Sequence, residues 1–457
     1  METFDVLIIG TGQAGVPLAT RLAEEGKRVL IAERGAPGGT CVNTGCTPTK
    51  TLIATARAAH VARTAARLGV HVGDVSVDFA QTFARKDEIV KRWQEGVVKR
   101  LEAHGDKLRF LHGHARFVGP RELDIGGQRY GAQTVVVNVG ARPVKPKLPG
   151  IETVDALDNG SALALKALPK HLLVLGGGYI GCELGQMFRR FGAEVTLVDH
   201  GPRLLGREAP EVSSALEEVF GAEGIQLRLG AKVNEVRRTP EGAALVLEDG
   251  RTLTGSHLLV AAGRRPNTDD LGCDAAGLRL DEKGFVLVDD QYRTNVPGVF
   301  ALGDATPQPQ FTHTSWDDHR LLFNVLSGRK GKTRSERIIP YTVFTDPQIA
   351  GVGLDEREAQ RRGVPYEVAT MPFGNIARAI ETDETAGWMQ VLIDPGTERI
   401  LGARIVGDQA GELIHLFVSL MEAKATARAI VDAEFVHPTF AEGVQSLVMR
   451  LSRYSLS

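Results

Sequence analysis

Short, unbroken apolar runs set the rhythm of the first half of this chain. Val6–Ile9 is one; lacking polar alternation, it predicts a fully buried parallel strand. An apolar helix pattern follows to about Glu25, then a second run, Val29–Ala32. His171–Leu175 and Val195–Val198 repeat the arrangement with a helix pattern between them. The stretch 51–104 reads as helical, with Ala, Arg and Leu at mixed spacing and a charged face. Pro146–Pro149 has the Pro-rich look of a hinge. From about residue 333 the pattern changes to short strands at Tyr341–Phe344, Met389–Ile393 and Ile400–Val406, then helices from Ala410. The first pattern predicts α/β units on parallel sheets, and the second an α+β domain on a mostly antiparallel sheet.

Glycines punctuate the two early units at matching places. Gly10, Gly12 and Gly15 follow the first strand at G-x-G-x-x-G spacing, and the next strand ends at Glu33. Gly176, Gly178 and Gly181 repeat the spacing, and there the second strand ends at Asp199. In each unit the acid lies 23 residues after the first glycine. VGARP at 139–143, with Gly140, and AAGRRP at 261–266, with Gly263, close the two units. Strand, glycine turn, helix, strand and acid together form a dinucleotide site. The glycines let the backbone approach a pyrophosphate at the helix N-terminus, and the acid accepts ribose hydroxyl hydrogens. The chain therefore holds a duplicated nucleotide-binding unit.

Composition narrows the setting. The chain has 457 residues, a net charge of −2 and a pI near 6.7, so no broad basic surface argues for nucleic acid or an anionic membrane. The basic run from Arg57 to Arg67 reads as a solvated helix face. No apolar run reaches the length of a membrane span, and no secretory pattern opens the sequence, so a cytosolic protein is expected. Four cysteines in this length are not a secreted disulfide framework.

Two of the four, Cys41 and Cys46, share the segment GGTCVNTGCTPTK at 38–50. The pair lacks the further ligands of a structural zinc site, which leaves a reversible disulfide or two buried structural thiols. Five residues of ideal helix rise about 7.5 Å, and bridged Cα atoms rarely exceed ~7 Å. A bridge thus requires a helix distorted between the sulfurs, with Gly45 and Pro48 placed to distort it. The helix N-terminus stabilises a thiolate, and Lys50 lies one turn past Cys46. Two nucleotides and a cysteine pair suggest electrons passing between cofactors and a disulfide.

Together these motifs resemble the class I pyridine nucleotide–disulfide oxidoreductases, the family of dihydrolipoamide dehydrogenase, glutathione reductase and mercuric reductase. The likeness covers nearly the whole chain. GGTCVNTGCTPTK resembles the redox-active segment, TNVPGVFALGD at 294–304 the second FAD motif, FTDPQIAGVG at 344–353 the start of the dimerisation domain, and HPTFAEG at 437–443 the catalytic His–Glu segment. The resemblance implies two Rossmann-like dinucleotide-binding domains and a C-terminal α+β dimerisation domain. It places an FAD domain at 1–145 and 264–332, an inserted NAD(P) domain at 146–263 and an interface domain at 333–457. It also implies a homodimer, and cis bonds at Asp346–Pro347 and His437–Pro438.

By the same resemblance FAD takes the first glycine site, with Gly39, Thr40, Lys50, His114, Ala115, Gly140, Gly303, Asp304, Phe311 and Thr312 among its contacts. NAD(H) or NADP(H) takes the second, with Tyr179 in the nicotinamide pocket. Cys46 becomes the flavin-proximal sulfur and Cys41 the sulfur that exchanges with substrate. His437, oriented by Glu442, handles the proton from the partner subunit, and Lys50 pairs with Glu183 near the flavin. Cys182 and Cys273 read as structural or incidental. His313 reads as near the flavin or as a packing or capping residue.

Departures from the family's patterns narrow the activity. Mercuric reductases end with a vicinal cysteine pair and lack the catalytic histidine, whereas this sequence has no cysteine after Cys273 and has His437. Thr44, Thr47 and Thr49 stand where dihydrolipoamide dehydrogenases carry apolar or small residues. Soluble transhydrogenases of this fold lack the cysteine pair. The leading expectation is an NAD(P)H-linked, FAD-dependent disulfide or dithiol oxidoreductase, dihydrolipoamide dehydrogenase-like. Reduction of Hg(II) or Cu(II), and a non-enzymatic flavin redox sensor or complex subunit, are the alternatives. Asp199 favours NADH, since a 2′-phosphate there meets a like charge; His200 and Arg203 soften that preference.

Overall fold

A computed structural model of the protein describes residues 1–454. The predicted buried strands lie at the centre of their sheets. Glu2–Ile9 pairs in parallel with Val29–Glu33 on one side and Gln128–Val137 on the other. Leu108–His112 extends the same sheet beyond Val29–Glu33, and Val299–Ala301 returns late in the chain to pair with Gln128–Val137. Leu7, Ile8, Leu30 and Ile31 have no solvent exposure, because both faces are covered: Ile8 and Ile31 by the helices Gly15–Glu24 and Thr312–Leu326, Leu7 and Leu30 by Phe117, Leu123 and Leu271.

A second sheet repeats the plan. Gln226–Arg228, Glu194–Val198, His171–Leu175 and His257–Val260 pair in that order, all parallel. A three-stranded antiparallel sheet at 233–255 flanks it. Ala141–Pro143 and Arg264–Pro266 pair antiparallel, joining the ends of the two units. The C-terminal sheet is antiparallel throughout, in the order Tyr341–Val343, Gln348–Gly353, Ile400–Gly407, Trp388–Ile393, Glu367–Pro372. The helix Ala410–Glu422 packs on it through Leu413, Ile414 and Phe417. This is the expected α/β architecture with a C-terminal α+β domain.

Several expectations need correction. Gln348–Gly353 and Glu367–Pro372 are strands that the apolar pattern did not single out, and the strand expected to reach Phe344 stops at Val343. The stretch 51–104 is two helices, Cys46–Thr64 and Phe79–Glu102, separated by a short 3₁₀ turn and residues without regular structure. The segment around the cysteines is not one distorted helix. Gly39–Asn43 forms a short helix carrying Cys41, and a new helix starts at Cys46. Gly45 makes the break: a Cβ there would lie 2.8 Å from the Thr40 carbonyl oxygen. Pro48 sits in the first turn of the second helix, where its missing N–H costs nothing. Both implied cis bonds, Asp346–Pro347 and His437–Pro438, are present. Among the described residues, no helix is long and apolar enough to cross a membrane.

Candidate active site

A cavity of about 1010 Å³ runs past the first glycine loop, the Cys41–Lys50 segment, the start of the helix Thr312–Leu326 and the C-terminal domain. Gly10, Gly12, Gly39, Thr40 and Gly140 line one end of it, with Glu33, His114 and Ala115. At Gly39, φ is +62° and a Cβ would lie 2.8 Å from the Gly12 Cα, so the redox segment touches the nucleotide loop through two bare backbones. That bare wall and its carboxylates fit a dinucleotide. Gly15 and Gly303 do not line the cavity; Gly15 packs against the Gly10 carbonyl, and Gly303 lies buried behind Asp304.

Glu33 has a second task that its position alone did not reveal. Its carboxylate accepts from Thr11 N at 3.0 Å, Thr11 Oγ1 at 2.9 Å and Gly35 N at 2.9 Å, tying the glycine loop to the strand end. Asp199 does the same in the second unit, accepting from Gly177 N and Gly201 N, each at 2.6 Å. The internal duplication therefore extends to individual hydrogen bonds. Gly176, Gly178, Gly181, Asp199 and Gly263 lie outside the large cavity, at the second glycine loop and its neighbouring strand ends. His200 Nδ1 is 3.5 Å from the Asp199 carboxylate, and the Arg203 Nε is buried without a hydrogen-bond partner.

Cys41 and Cys46 are both free thiols in this structure. Cys46 opens the helix Cys46–Thr64, and its Sγ lies 2.9 Å from Thr312 Oγ1. Its pKa is lowered to about 6, chiefly because the Cys41 thiol donates a hydrogen bond to it; the Lys50 ammonium and the Thr312 hydroxyl add to this against the cost of burial. Cys41 is pushed up because it keeps the shared proton, and burial adds to that. The two sulfurs thus divide into one charged and one protonated partner. The sign of the shift sets a pH window. Above about 6 the Cys46 thiolate dominates, and below it protonation removes the nucleophile. Alkylation of the reduced protein by iodoacetamide is expected to show an inflection near pH 6, and an inflection only above pH 8 would contradict this assignment.

Lys50 Nζ donates to Glu183 Oε2 at 2.6 Å, as expected, and Glu183 is 4% exposed. Tyr179 packs against Phe311 with centroids 6.3 Å apart, and Phe311 stacks on both His313 and Tyr341. His313 combines its two expected roles: it lines the cavity, and its Nε2–H donates to the Pro340 carbonyl at 2.7 Å. Burial lowers its pKa. Asp304 lines the cavity too; burial pushes its carboxyl up, against Arg264 at 3.6 Å. Burial pushes the Cys182 thiol up, and Cys273 to about 11, which suits their reading as structural.

His437 Nδ1 lies 2.9 Å from Glu442 Oε2, so the pair forms as the motif implied. It is not on the cavity wall, and the His437 side chain is 70% exposed. Within one chain the structure does not bring it to the cysteines.

Sequence reasoning missed a buried cluster behind Asp304. Asp318 accepts from Gly303 N, Gln308 Nε2 and Arg337 Nη1, each at 2.7 Å, and from Tyr292 Oη at 2.8 Å. It also missed Asn138, whose Nδ2 donates to the Gly10 carbonyl at 3.1 Å.

Comparison with known proteins bears on this geometry. Residues 4–318 match the pyridine nucleotide-disulphide oxidoreductase family, and residues 339–448 match its dimerisation domain. The chain is 35% identical to a dihydrolipoyl dehydrogenase of Thermus scotoductus, over 100% of this chain and 99% of that one. It is 34% identical to a mercuric reductase of Streptomyces lividans, over 97% and 95%. Among solved structures it resembles the HOCl-induced flavoprotein disulfide reductase RclA from Escherichia coli, with a TM-score of 0.90, 31% identity and coverage of 98% and 99%. A Cu(II) complex of RclA gives a TM-score of 0.89 at 32% identity, covering 97% and 99%.

Proposed function

The chain belongs to the pyridine nucleotide-disulphide oxidoreductase family, FAD-dependent enzymes with NAD(P)H as electron donor, and we propose that it reduces a disulfide through Cys41 and Cys46. The observation that carries this reading is the pair itself: two thiols on a cavity wall, one depressed to about 6 and one holding the proton.

FAD bound in the cavity supplies two-electron chemistry between a nicotinamide and a disulfide. Gly10, Gly12, Glu33, Gly39, Thr40, Gly140 and Asp304 would hold it, and Lys50 with Glu183 would set the charge beside it. In the reductive direction, Cys41 loses its proton and attacks a substrate disulfide, releasing one substrate thiolate. The Cys46 thiolate then attacks the Cys41 sulfur, closing the Cys41–Cys46 disulfide and expelling the second thiolate. Two electrons leave the cysteines and two enter the substrate. The protons pass through His437 of the partner subunit, oriented by Glu442. The exposure of His437 and its place off the cavity wall support a homodimer with shared sites, as does the match to a dimerisation domain.

We place the FAD domain at 1–145 and 264–332, the NAD(P) domain at 146–263 and the interface domain from 333, supported by a separate main sheet in each. The low cysteine count supports a cytosolic setting.

Metal-ion reduction is the second reading, favoured by the Cu(II) complex of the RclA neighbour and by the mercuric reductases among the relatives. Steady-state oxidation of NADH and NADPH, with lipoamide, low-molecular-weight disulfides, Cu(II) and Hg(II) as acceptors, tests both. Disulfide-dependent turnover supports the first reading; turnover with metal ions alone replaces it with the second.

The proposed donor is NADH. Asp199 ends the second strand of the second unit, where a carboxylate meets the free 2′-OH of NAD. Arg203, with its buried and unpartnered Nε, offsets part of the repulsion toward a 2′-phosphate. The expected result is a kcat/KM about tenfold higher for NADH than for NADPH, since a fully expressed repulsion of roughly 4 kcal/mol is offset in part. Asp199→Ala is expected to narrow the ratio and Arg203→Ala to widen it. A wild-type preference for NADPH that vanishes in Arg203→Ala reverses the assignment.

A further inference from the structure

One wall of the cavity comes from a segment that carries no chemical motif. Phe344 lines it, in the Phe344–Asp346 link between the strands Tyr341–Val343 and Gln348–Gly353. Gln186, 4% exposed, grips that link with both ends of its amide. Its Nε2 donates to the Asp346 carbonyl at 2.7 Å, and its Oε1 accepts from Asp346 N at 2.8 Å. The Asp346 carboxylate is held by Arg190 at 2.7 Å and by Arg57 at 2.8 Å. Glu183, Gln186 and Arg190 follow one another at spacings of three and four on the helix Tyr179–Phe191, so they share one face. The link is pinned along that face and has no freedom to drift from it.

At its cavity end, the link meets the redox helix. Phe344 N donates to Glu183 Oε1 at 2.9 Å, while the other Glu183 oxygen takes Lys50 at 2.6 Å. The Phe344 ring centroid lies 4.7 Å from Lys50 Nζ, within cation–π range. The ammonium is thus held between a buried carboxylate and an aromatic face. Only one of these comes from the nucleotide unit; the other belongs to the C-terminal domain. Lysine has a flexible four-carbon stem, and with a single anchor its charge sweeps an arc around Glu183.

We propose that Phe344 is a positioning residue: its ring, and the Gln186-clamped peptide behind it, fix the Lys50 ammonium one turn from Cys46, so that the C-terminal domain sets the charge state of the redox pair. This rests on the reading of Cys46 as the flavin-facing thiolate. The groups that bear on the Cys46 sulfur are Cys41, Thr312, Lys50 and Glu183, and the ring acts on it only through Lys50.

The test is a pH titration of the long-wavelength thiolate–flavin band in the two-electron-reduced holoenzyme, with thermal midpoints recorded alongside. Phe344→Leu keeps the bulk and removes the π face. Its titration midpoint is expected to rise by about half a pH unit, roughly threefold in proton affinity, because the positive charge that favours the thiolate is no longer held in place. Phe344→Tyr restores the ring and is expected to match wild type. Gln186→Leu leaves the ring but frees the link, and its midpoint is expected to move in the same direction. An unchanged midpoint in Phe344→Leu overturns the proposal; if that variant does not retain flavin, an unchanged midpoint in Gln186→Leu does so. Absence of the band in wild type overturns the underlying reading of Cys46, and this proposal with it.

Discussion

Replacing Cys46 with serine is expected to lower disulfide turnover by three or more orders of magnitude, the scale seen when an essential nucleophile is removed. The same change abolishes the long-wavelength band of the two-electron-reduced enzyme. A serine hydroxyl stays protonated where the Cys46 thiol, lowered to about 6, is ionised, and it cannot close a disulfide. Cys41→Ser behaves differently. Its hydroxyl still donates toward Cys46, so a thiolate persists beside the Thr312 hydroxyl and the Lys50 charge. This variant is expected to show the thiolate–flavin contact without prior reduction, yet to turn over no disulfide. Full disulfide reductase activity in Cys41→Ser would falsify the division of labour between the two sulfurs.

A comparable effect, on stability and flavin retention, is expected from Asp318→Ala. Asp318 has no solvent exposure and collects four hydrogen bonds, one from the guanidinium of Arg337, whose side chain is 5% exposed. Removing the carboxylate strands that buried charge, at a cost of about 3–5 kcal/mol. The thermal midpoint is expected to fall by several degrees. Flavin is expected to separate from the protein on gel filtration, because Gly303, which loses an anchor, precedes the cavity-lining Asp304. The double variant Asp318→Leu with Arg337→Leu removes the stranded charge, so it is expected to recover part of the melting temperature without recovering flavin retention. Coincident recovery of both reduces Asp318 to a purely structural role, and an Asp318→Ala protein that keeps its flavin and melts like wild type removes the idea altogether.

What was legible in the sequence was local. Gly10, Gly12 and Glu33 announce a nucleotide loop because strand, turn and acid are neighbours along the chain, and Gly176 to Asp199 repeat them. His437 and Glu442 were found through the resemblance of HPTFAEG to the family's His–Glu segment, and the pair forms across a turn. Asp318 was not found, because its partners Tyr292, Gly303, Gln308 and Arg337 lie 10 to 26 positions from it with no spacing that marks a cluster. Gln186 reads as one more polar residue on a helix until Asp346, 160 positions away, is folded against it. The strand Gln348–Gly353 escaped for a different reason: glycine at two of its six positions hides the apolar pattern. The second task of Glu33 and Asp199, bracing their own glycine loops, depends on backbone N–H directions that side-chain identity does not encode.

The break at Gly45 separates a short helix, Gly39–Asn43, from a long one, Cys46–Thr64. Cys46 and Lys50 ride on a helix that continues for nineteen residues and is bound through Arg57 to Asp346 and Asp408. Cys41 rides on a helix of five residues that ends just before Gly45, where a Cβ would meet the Thr40 carbonyl oxygen. Any change of sulfur–sulfur distance between the dithiol and the disulfide is therefore expected to fall on the short helix, which carries fewer ion pairs than the long one, as a fuse takes up a surge.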